Sequence, residues 1–326
     1  MNLKHFLLVS LSILLFSACE KKETPITLPP KGDGAVMQVD MGETYEYQYF
    51  INLQTQQIVH ISRTANWDLA LQCGENDSAV FLNGGNGMSA LNTNKSDFAA
   101  VGYGDTMNSS KNWRYDGSGG EADSTAIDSR NKKRNVYLIR LDNTYNKIRK
   151  FQISYEDAFE YIILVGDINS TQAAPITIYK NKDKNFVYFS FDFLATVPDV
   201  EPDKNTWDIE VTRYNYTFFD QEPDLHYVVN GLLLNPSNTY GFKDSVHTYT
   251  EMTPTLATQI ALTNKKDIIG YDWKKYDIDK NIYTIDSRYN YFIQNQNGSI
   301  FKMRFLDYYS TSGIKGSPKF EFNQIK

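Results

Sequence analysis

Asn66-Trp67-Asp68-Leu69-Ala70-Leu71 and Thr206-Trp207-Asp208-Ile209-Glu210-Val211 state one pattern twice. Each follows a Tyr-Phe pair at a similar distance, Tyr49-Phe50 in the first case and Tyr188-Phe189 in the second. Further along, Tyr137-Leu138-Ile139 with Lys150-Phe151 is echoed by Tyr291-Phe292-Ile293 with Arg304-Phe305. The offset is 140 residues at the tryptophans (67 to 207) and 154 at the later landmark (137 to 291). An ordered set of landmarks repeated at such a spacing implies two copies of one folding unit. A single large sheet whose halves merely look alike is the alternative reading.

Around these landmarks, period-two alternation dominates. It runs through Tyr45 to Tyr49, Val136 to Leu141, Ile148 to Ile153 and Tyr188 to Phe193, which predicts strands with one wet face. Glu160 to Val165 reads as a more buried strand. Asn297-Gly298 between two apolar runs predicts a hairpin turn. Helical periodicity is confined to short stretches near Thr255–Ala261 and Ser96–Ala100. Aromatic residues make up 14% of the chain, with 23 Tyr and 19 Phe, and rings of this kind pack well across half-buried strands. The fold class is therefore all-β: two tandem, packed, sandwich-like units over 36–178 and 179–326.

The amino-terminal residues read as targeting rather than fold. Lys4 and His5 precede an apolar run from Phe6 to Phe16, and Ser17-Ala18 sets small residues before Cys19. That run is too short to span a bilayer and has the form of a secretory signal over 1–18. Its end resembles the bacterial lipobox, which implies cleavage before Cys19 and a lipid on its thiol. Residues 19–35, charged at first and then rich in Pro and Gly, read as a flexible tether. The charged start resembles surface-export signals of Bacteroidetes lipoproteins, so the cell surface is slightly favoured over the periplasmic face of the outer membrane.

Removing 1–18 takes away one lysine and leaves 32 basic against 39 acidic residues, a formal charge of −7. Such a balance argues against nucleic acid or an anionic membrane surface as partner. With Cys19 lipidated, Cys73 stands alone, no internal disulfide forms, and stability rests on the core.

The second half carries the fuller run of landmarks: Thr206-Trp207-Asp208-Ile209, Asn230-Gly231-Leu232, Ile269-Gly270-Tyr271-Asp272-Trp273-Lys274, Tyr291-Phe292-Ile293, Lys302-Met303-Arg304-Phe305 and Phe320-Glu321-Phe322. This order resembles the HmuY-like family of Bacteroidetes lipoproteins over roughly 186–326, and again more weakly in the first half. The resemblance implies a non-enzymatic β-rich lipoprotein that takes haem or a related porphyrin, held by His or Met side chains, and passes it to a TonB-dependent receptor.

Haem iron needs an imidazole or soft donor and an apolar slot. After cleavage only His60, His226 and His247 remain. His247 and His226 lie among aromatic residues between the second Trp-Asp and Trp273, with Met252 five residues past His247. These three, His247, His226 and Met252, are the candidate haem ligands, whereas His60 reads as a strand residue. The tryptophans of both Trp-Asp pairs read as props beneath strands, with each acid accepting backbone N–H bonds.

Asp116-Gly117-Ser118-Gly119-Gly120 is not a serine nucleophile loop, because no histidine in a suitable context accompanies it. No zinc, phosphate-loop or metalloprotease motif occurs, and no metal site is expected. The other reading of the chain is a structural or interaction lipoprotein that grips a surface protein or a glycan through its loops.

Overall fold

The computed structural model describes residues 34–74, 78–107, 113–128, 134–142 and 147–326. The signal, Cys19 and nearly all of the tether lie outside these. The chain begins with strands β1 (Ala35–Gln38), β2 (Tyr47–Asn52), β3 (Gln57–Arg63), β4 (Leu69–Gln72), β5 (Val80–Leu82) and β6 (Ser89–Asn92). Next come β7 (Trp113–Arg114), β8 (Tyr137–Arg140), β9 (Ile148–Glu156), β10 (Glu160–Asp167) and β11 (Pro175–Tyr179). The following strands are β12 (Phe186–Ser190), β13 (Ala195–Val197), β14 (Ile209–Phe218), β15 (Leu225–Leu234) and β16 (Tyr240–Asp244). The chain closes with β17 (Lys274–Asp277), β18 (Ile282–Ile285), β19 (Asn290–Gln294), β20 (Ile300–Tyr309) and β21 (Lys315–Gln324). The fold is all-β, as expected.

Four large sheets face one another in two pairs. The sheet ordered β13-β12-β4-β5 lies over the one ordered β11-β10-β9-β8-β6-β7, and β15-β14-β2-β3 lies over β1-β21-β20-β19-β16. Between the first pair, Leu69, Leu71, Ile139, Phe151, Ile163 and Phe189 form one core. Between the second, Ile51, Ile209, Leu232, Trp273, Tyr291 and Phe305 form another. These are the inward positions of the period-two alternation.

Strand pairing crosses between the stretches 36–178 and 179–326. β2 pairs with β14 and β1 with β21, so the first strands of the chain sit in the second sandwich. β12 pairs with β4, which brings a strand of the later stretch into the first sandwich.

Both Trp-Asp pairs stand where this crossing occurs, and they make matching bonds. Asp68 N donates to Phe189 O, and Asp208 N to Ile51 O, each at 2.8 Å. The carboxylates accept from Phe191 N and Leu53 N, each at 2.7 Å. Asn83 Nδ2 donates to Trp67 O and Asn235 Nδ2 to Trp207 O, again each at 2.7 Å. Trp207 is 2% exposed and packs edge-on against Phe50 with ring centroids 4.9 Å apart. Trp67 does the same with Tyr188, also at 4.9 Å. The tryptophans are props, as the sequence suggests.

The bond from Phe191 to Asp68 also turns the chain out of β12, so the alternation read as far as Phe193 ends as strand at Ser190. Asn297-Gly298 does form the turn between β19 and β20, with Gly298 at φ +82°. Of the two helical stretches expected, one survives as the single turn Pro254–Ala257, capped by Thr253. Ser96–Ala100 is a bend and turn only.

Candidate functional site

His247 follows β16 in a turn organised by Asp244. The buried Asp244 carboxylate accepts Val246 N at 2.7 Å and His247 N at 2.9 Å through Oδ1, while Oδ2 lies 2.9 Å from His247 Nδ1. Burial alone would raise this carboxyl, but the bonds from His247 and Val246 outweigh it and hold Asp244 below the ordinary carboxylate range. A ring nitrogen fixed by a carboxylate leaves the other nitrogen as the lone-pair donor, the arrangement that orients metal-ligating imidazoles. Nε2 has no partner among the described residues.

The ring lines a pocket of about 350 Å³ together with Val246, Tyr249, Tyr289, Arg288 and Arg304. Both guanidiniums are already committed to carboxylates. Arg288 binds Asp286 through Nε at 2.8 Å and its terminal nitrogen at 2.6 Å, and Arg304 binds Glu321 at 3.0 and 2.8 Å.

The other two candidate ligands lie elsewhere. Met252 is 1% exposed and is packed into an apolar cluster with Tyr249, Ala257, Phe292 and Ile300. His226, on β15, stacks on Tyr115 with ring centroids 4.0 Å apart, and its Nδ1 lies 2.9 Å from Thr217 Oγ1. Burial lowers its pKa. His60, on β3, is held 2.6 Å from Asp199 O. No two of these side chains line one pocket. The three candidate donors therefore do not converge on one slot, and His247 alone among them would be placed to hold a haem group in the pocket that it lines. Among the described residues no group of three or more His, Cys, Asp or Glu side chains is arranged to hold a metal ion.

A second and larger concavity, about 760 Å³, opens between the two sandwiches. Its floor is built where Asn230-Gly231 on β15 meets Gly270-Tyr271. Leu232 N donates to Gly270 O at 3.0 Å and Gly270 N to Leu232 O at 3.1 Å. The backbones come so close that a Cβ on Gly231 would collide with Gly270 O, and Gly270 itself has φ +70°. This contact seats Trp273, whose Nε1 donates to Gly270 O at 3.1 Å and whose ring lies flat on Phe305 at 3.8 Å.

Lys274 then reaches the floor of the cleft. Its Nζ donates to Asn230 O at 2.7 Å and Tyr271 O at 3.2 Å, above the rings of Trp273 and Tyr308. Burial lowers its pKa to about 7. Sequence reading missed this site, because its members Tyr45, Arg213, Tyr227, Tyr271, Lys274 and Tyr283 come from five separate stretches. The one local signal is the density of Tyr and Lys from Tyr271 to Tyr276.

A known family matches part of the chain. Residues 44–175 match the family described as HmuY protein. This stretch is HmuY-like. The match falls on the part where the landmarks are weaker, whereas the fuller set was read over 186–326. Among solved structures, a candidate HmuY-like haem-binding protein from Bacteroides vulgatus is 10% identical, covering 92% of this chain and 97% of its own at a TM-score of 0.23. Apo PinO from Porphyromonas gingivitis is 12% identical, covering 91% and 99% at 0.26. A candidate lipoprotein from Bacteroides fragilis is 15% identical, covering 53% and 88% at 0.22. No curated protein matches the chain. Among the described residues no helix is long and apolar enough to cross a membrane.

Proposed function

We propose that this chain is a non-catalytic HmuY-like lipoprotein, anchored to the outer membrane through Cys19 and displayed at the cell surface. In this reading it holds haem or a related porphyrin and presents it to a TonB-dependent receptor. We also read the crossed sheets as two HmuY-like units, 36–178 and 179–326, that exchange their leading hairpins. The observation that carries the haem reading is the Asp244–His247 pair, which fixes one imidazole nitrogen and frees the other beside a pocket with tyrosine walls. Bound haem would supply an iron that accepts that lone pair. The chain's own part is to orient the ring, to offer the faces of Tyr249 and Tyr289, and to leave the ligand open on one side for transfer. His226 and Met252 take no part, being engaged elsewhere.

Haemin titration followed through its Soret band tests this. Wild type should show a shifted band. His247→Ala should weaken binding at least tenfold, and Asp244→Asn by about tenfold, the usual cost of losing a partner that orients a ligand. An isotherm unchanged in His247→Ala removes that residue, and no spectral change in wild type removes haem.

A second reading, an interaction lipoprotein that grips a surface protein or a glycan through loops, draws on the exposed side chains Phe159, Phe193, Phe219 and Ile278.

A further inference from the structure

The cleft between the sandwiches has three unmatched kinds of group on its lining. Four cations come first. Lys147, Arg213, Lys274 and Lys315 form no ion pair among the described residues, and they outnumber the three acids on the same lining, Asp68, Asp142 and Asp192, although the chain as a whole is acidic. Lys274 is nearly buried and spends two of its three N–H bonds on backbone carbonyls. Arg213 donates to Thr44 O and Gly85 O, yet its buried Nε has no partner among the described residues. Buried donors without acceptors are costly, so this floor favours a ligand that brings acceptor oxygens, and its cations favour one that is negatively charged.

Next come acceptors and amides that lack donors. The exposed Asp192 carboxylate, the half-buried Asn86 amide and Asn230 Nδ2 have no hydrogen-bond partner among the described residues, while Asn230 Oδ1 accepts Tyr308 OH at 2.7 Å. Polar groups that water solvates in the open cleft can exchange that water for a ligand's hydroxyls.

Last come aromatic faces. Tyr227 is 60% exposed and Tyr276 is 48% exposed. Tyr276 leans on Tyr283 at 4.9 Å, and Tyr271 on Tyr216 at 4.9 Å. Rings presented to water in this way stack against flat, weakly apolar faces.

One ligand chemistry meets all three requirements. A carboxylated sugar offers C–H faces to aromatic rings, hydroxyls to carboxylates and amides, and a carboxylate to lysine and arginine. A porphyrin brings carboxylates and a flat face, but no hydroxyls for Asp192 or Asn86, and no His, Met or Cys lines this cleft. The volume lies within the usual range of small-ligand sites, roughly 300–1,000 Å³.

We propose that the cleft between the two sandwiches binds a carboxylated oligosaccharide, with Lys274, Arg213 and Lys315 on the acid and Tyr227, Tyr276 and Tyr283 on the rings. This site is separate from the His247 pocket, with which it shares no lining residue.

Isothermal titration of the lipid-free mature chain with trigalacturonate, against the neutral maltotriose, tests the assignment. Trigalacturonate should bind at least tenfold more tightly than maltotriose, and its affinity should fall as salt rises. Lys315→Ala and Tyr276→Ala, both exposed and harmless to the core, should each weaken it by several-fold to tenfold. Lys274→Met should weaken it further. Haemin spectra of the two surface variants should stay as in wild type. Equal affinity for the acidic and neutral sugars, no binding of trigalacturonate, or binding indifferent to both surface variants would each overturn the proposal.

Discussion

Asp208 sits beneath the crossing of β2 and β14 with a single backbone N–H as its bond partner. Burial raises its carboxyl to about 6, against the opposing pull of the Leu53 bond. Asp116, which accepts Leu82 N at 2.6 Å and Ala126 N at 2.7 Å, is likewise raised by burial to about 6. Glu201, buried under Asn185 and Phe186, is raised by burial to about 7. An acid raised on folding keeps its proton where the unfolded chain has lost it. Its contribution is therefore fully present below about pH 4 and lost as pH climbs through 6 to 7. Lys274 acts in the opposite direction. Its folded pKa of about 7 lies below the unfolded one near 10.5, so stability returns as pH rises from 7 towards 10. Thermal melts should thus show a minimum in melting temperature near pH 7. Asp208→Asn should flatten the acid limb and Lys274→Met the alkaline one. Melting temperatures that rise steadily from pH 5 to 7 would contradict this. Asp208→Ala, which strands Leu53 N in the core, should cost about 1–3 kcal/mol in a urea titration.

At the scale of the element, the strand that decides most is β15. Its inner residues Leu232 and Leu234 feed the second core, while Gly231 permits Gly270 to approach. That approach places Trp273 and Lys274. Gly231→Ala should cost about 1–3 kcal/mol, the usual range for overpacking. It should also displace Lys274 and so lower affinity for trigalacturonate, which titration of the folded variant would read. A variant as stable as wild type would mean that the two backbones part without cost. The landmarks Asn230-Gly231 and Ile269-Gly270-Tyr271-Asp272-Trp273 were visible as a series in the sequence. That they are one contact was not, because about 40 residues separate them and no local pattern encodes the meeting.

The whole molecule is held by strands that leave their own stretch of sequence. β1 completes a sheet whose other members lie after residue 208, β2 and β3 extend the sheet of β14 and β15, and β12 and β13 extend the sheet of β4 and β5. Smaller ties join the same two bodies. His226 stacks on Tyr115, Ser118 Oγ donates to Asp267 Oδ2 at 2.5 Å, and Lys266 N donates to Gly119 O at 2.9 Å. A fragment of 179–326 would expose the edges of β14 and β21 and lose Val39, Ile51 and Leu53 from its core. Expressed alone, it should aggregate or stay unfolded by circular dichroism. Co-expression with 34–178 should restore a soluble pair that co-elutes in gel filtration. A fragment that folds alone, with a sharp melt, would show the crossing to be dispensable.

The sequence by itself determined the class of this fold. Period-two alternation, the aromatic load and the Asn-Gly turn act over a few residues, and local chemistry suffices to write strands. It also pointed to the role of the two tryptophans and offered His247 as one of three candidate ligands with His226 and Met252. Tertiary structure alone decided which hairpin completes which sheet, since pairing depends on a fit between surfaces distant in the chain. It likewise separated His226 and Met252 from His247, as stacking on Tyr115 and burial beside Phe292 are contacts with remote elements. The cleft arose in the same way, because each of its tyrosines and lysines is unremarked until two sandwiches stand side by side.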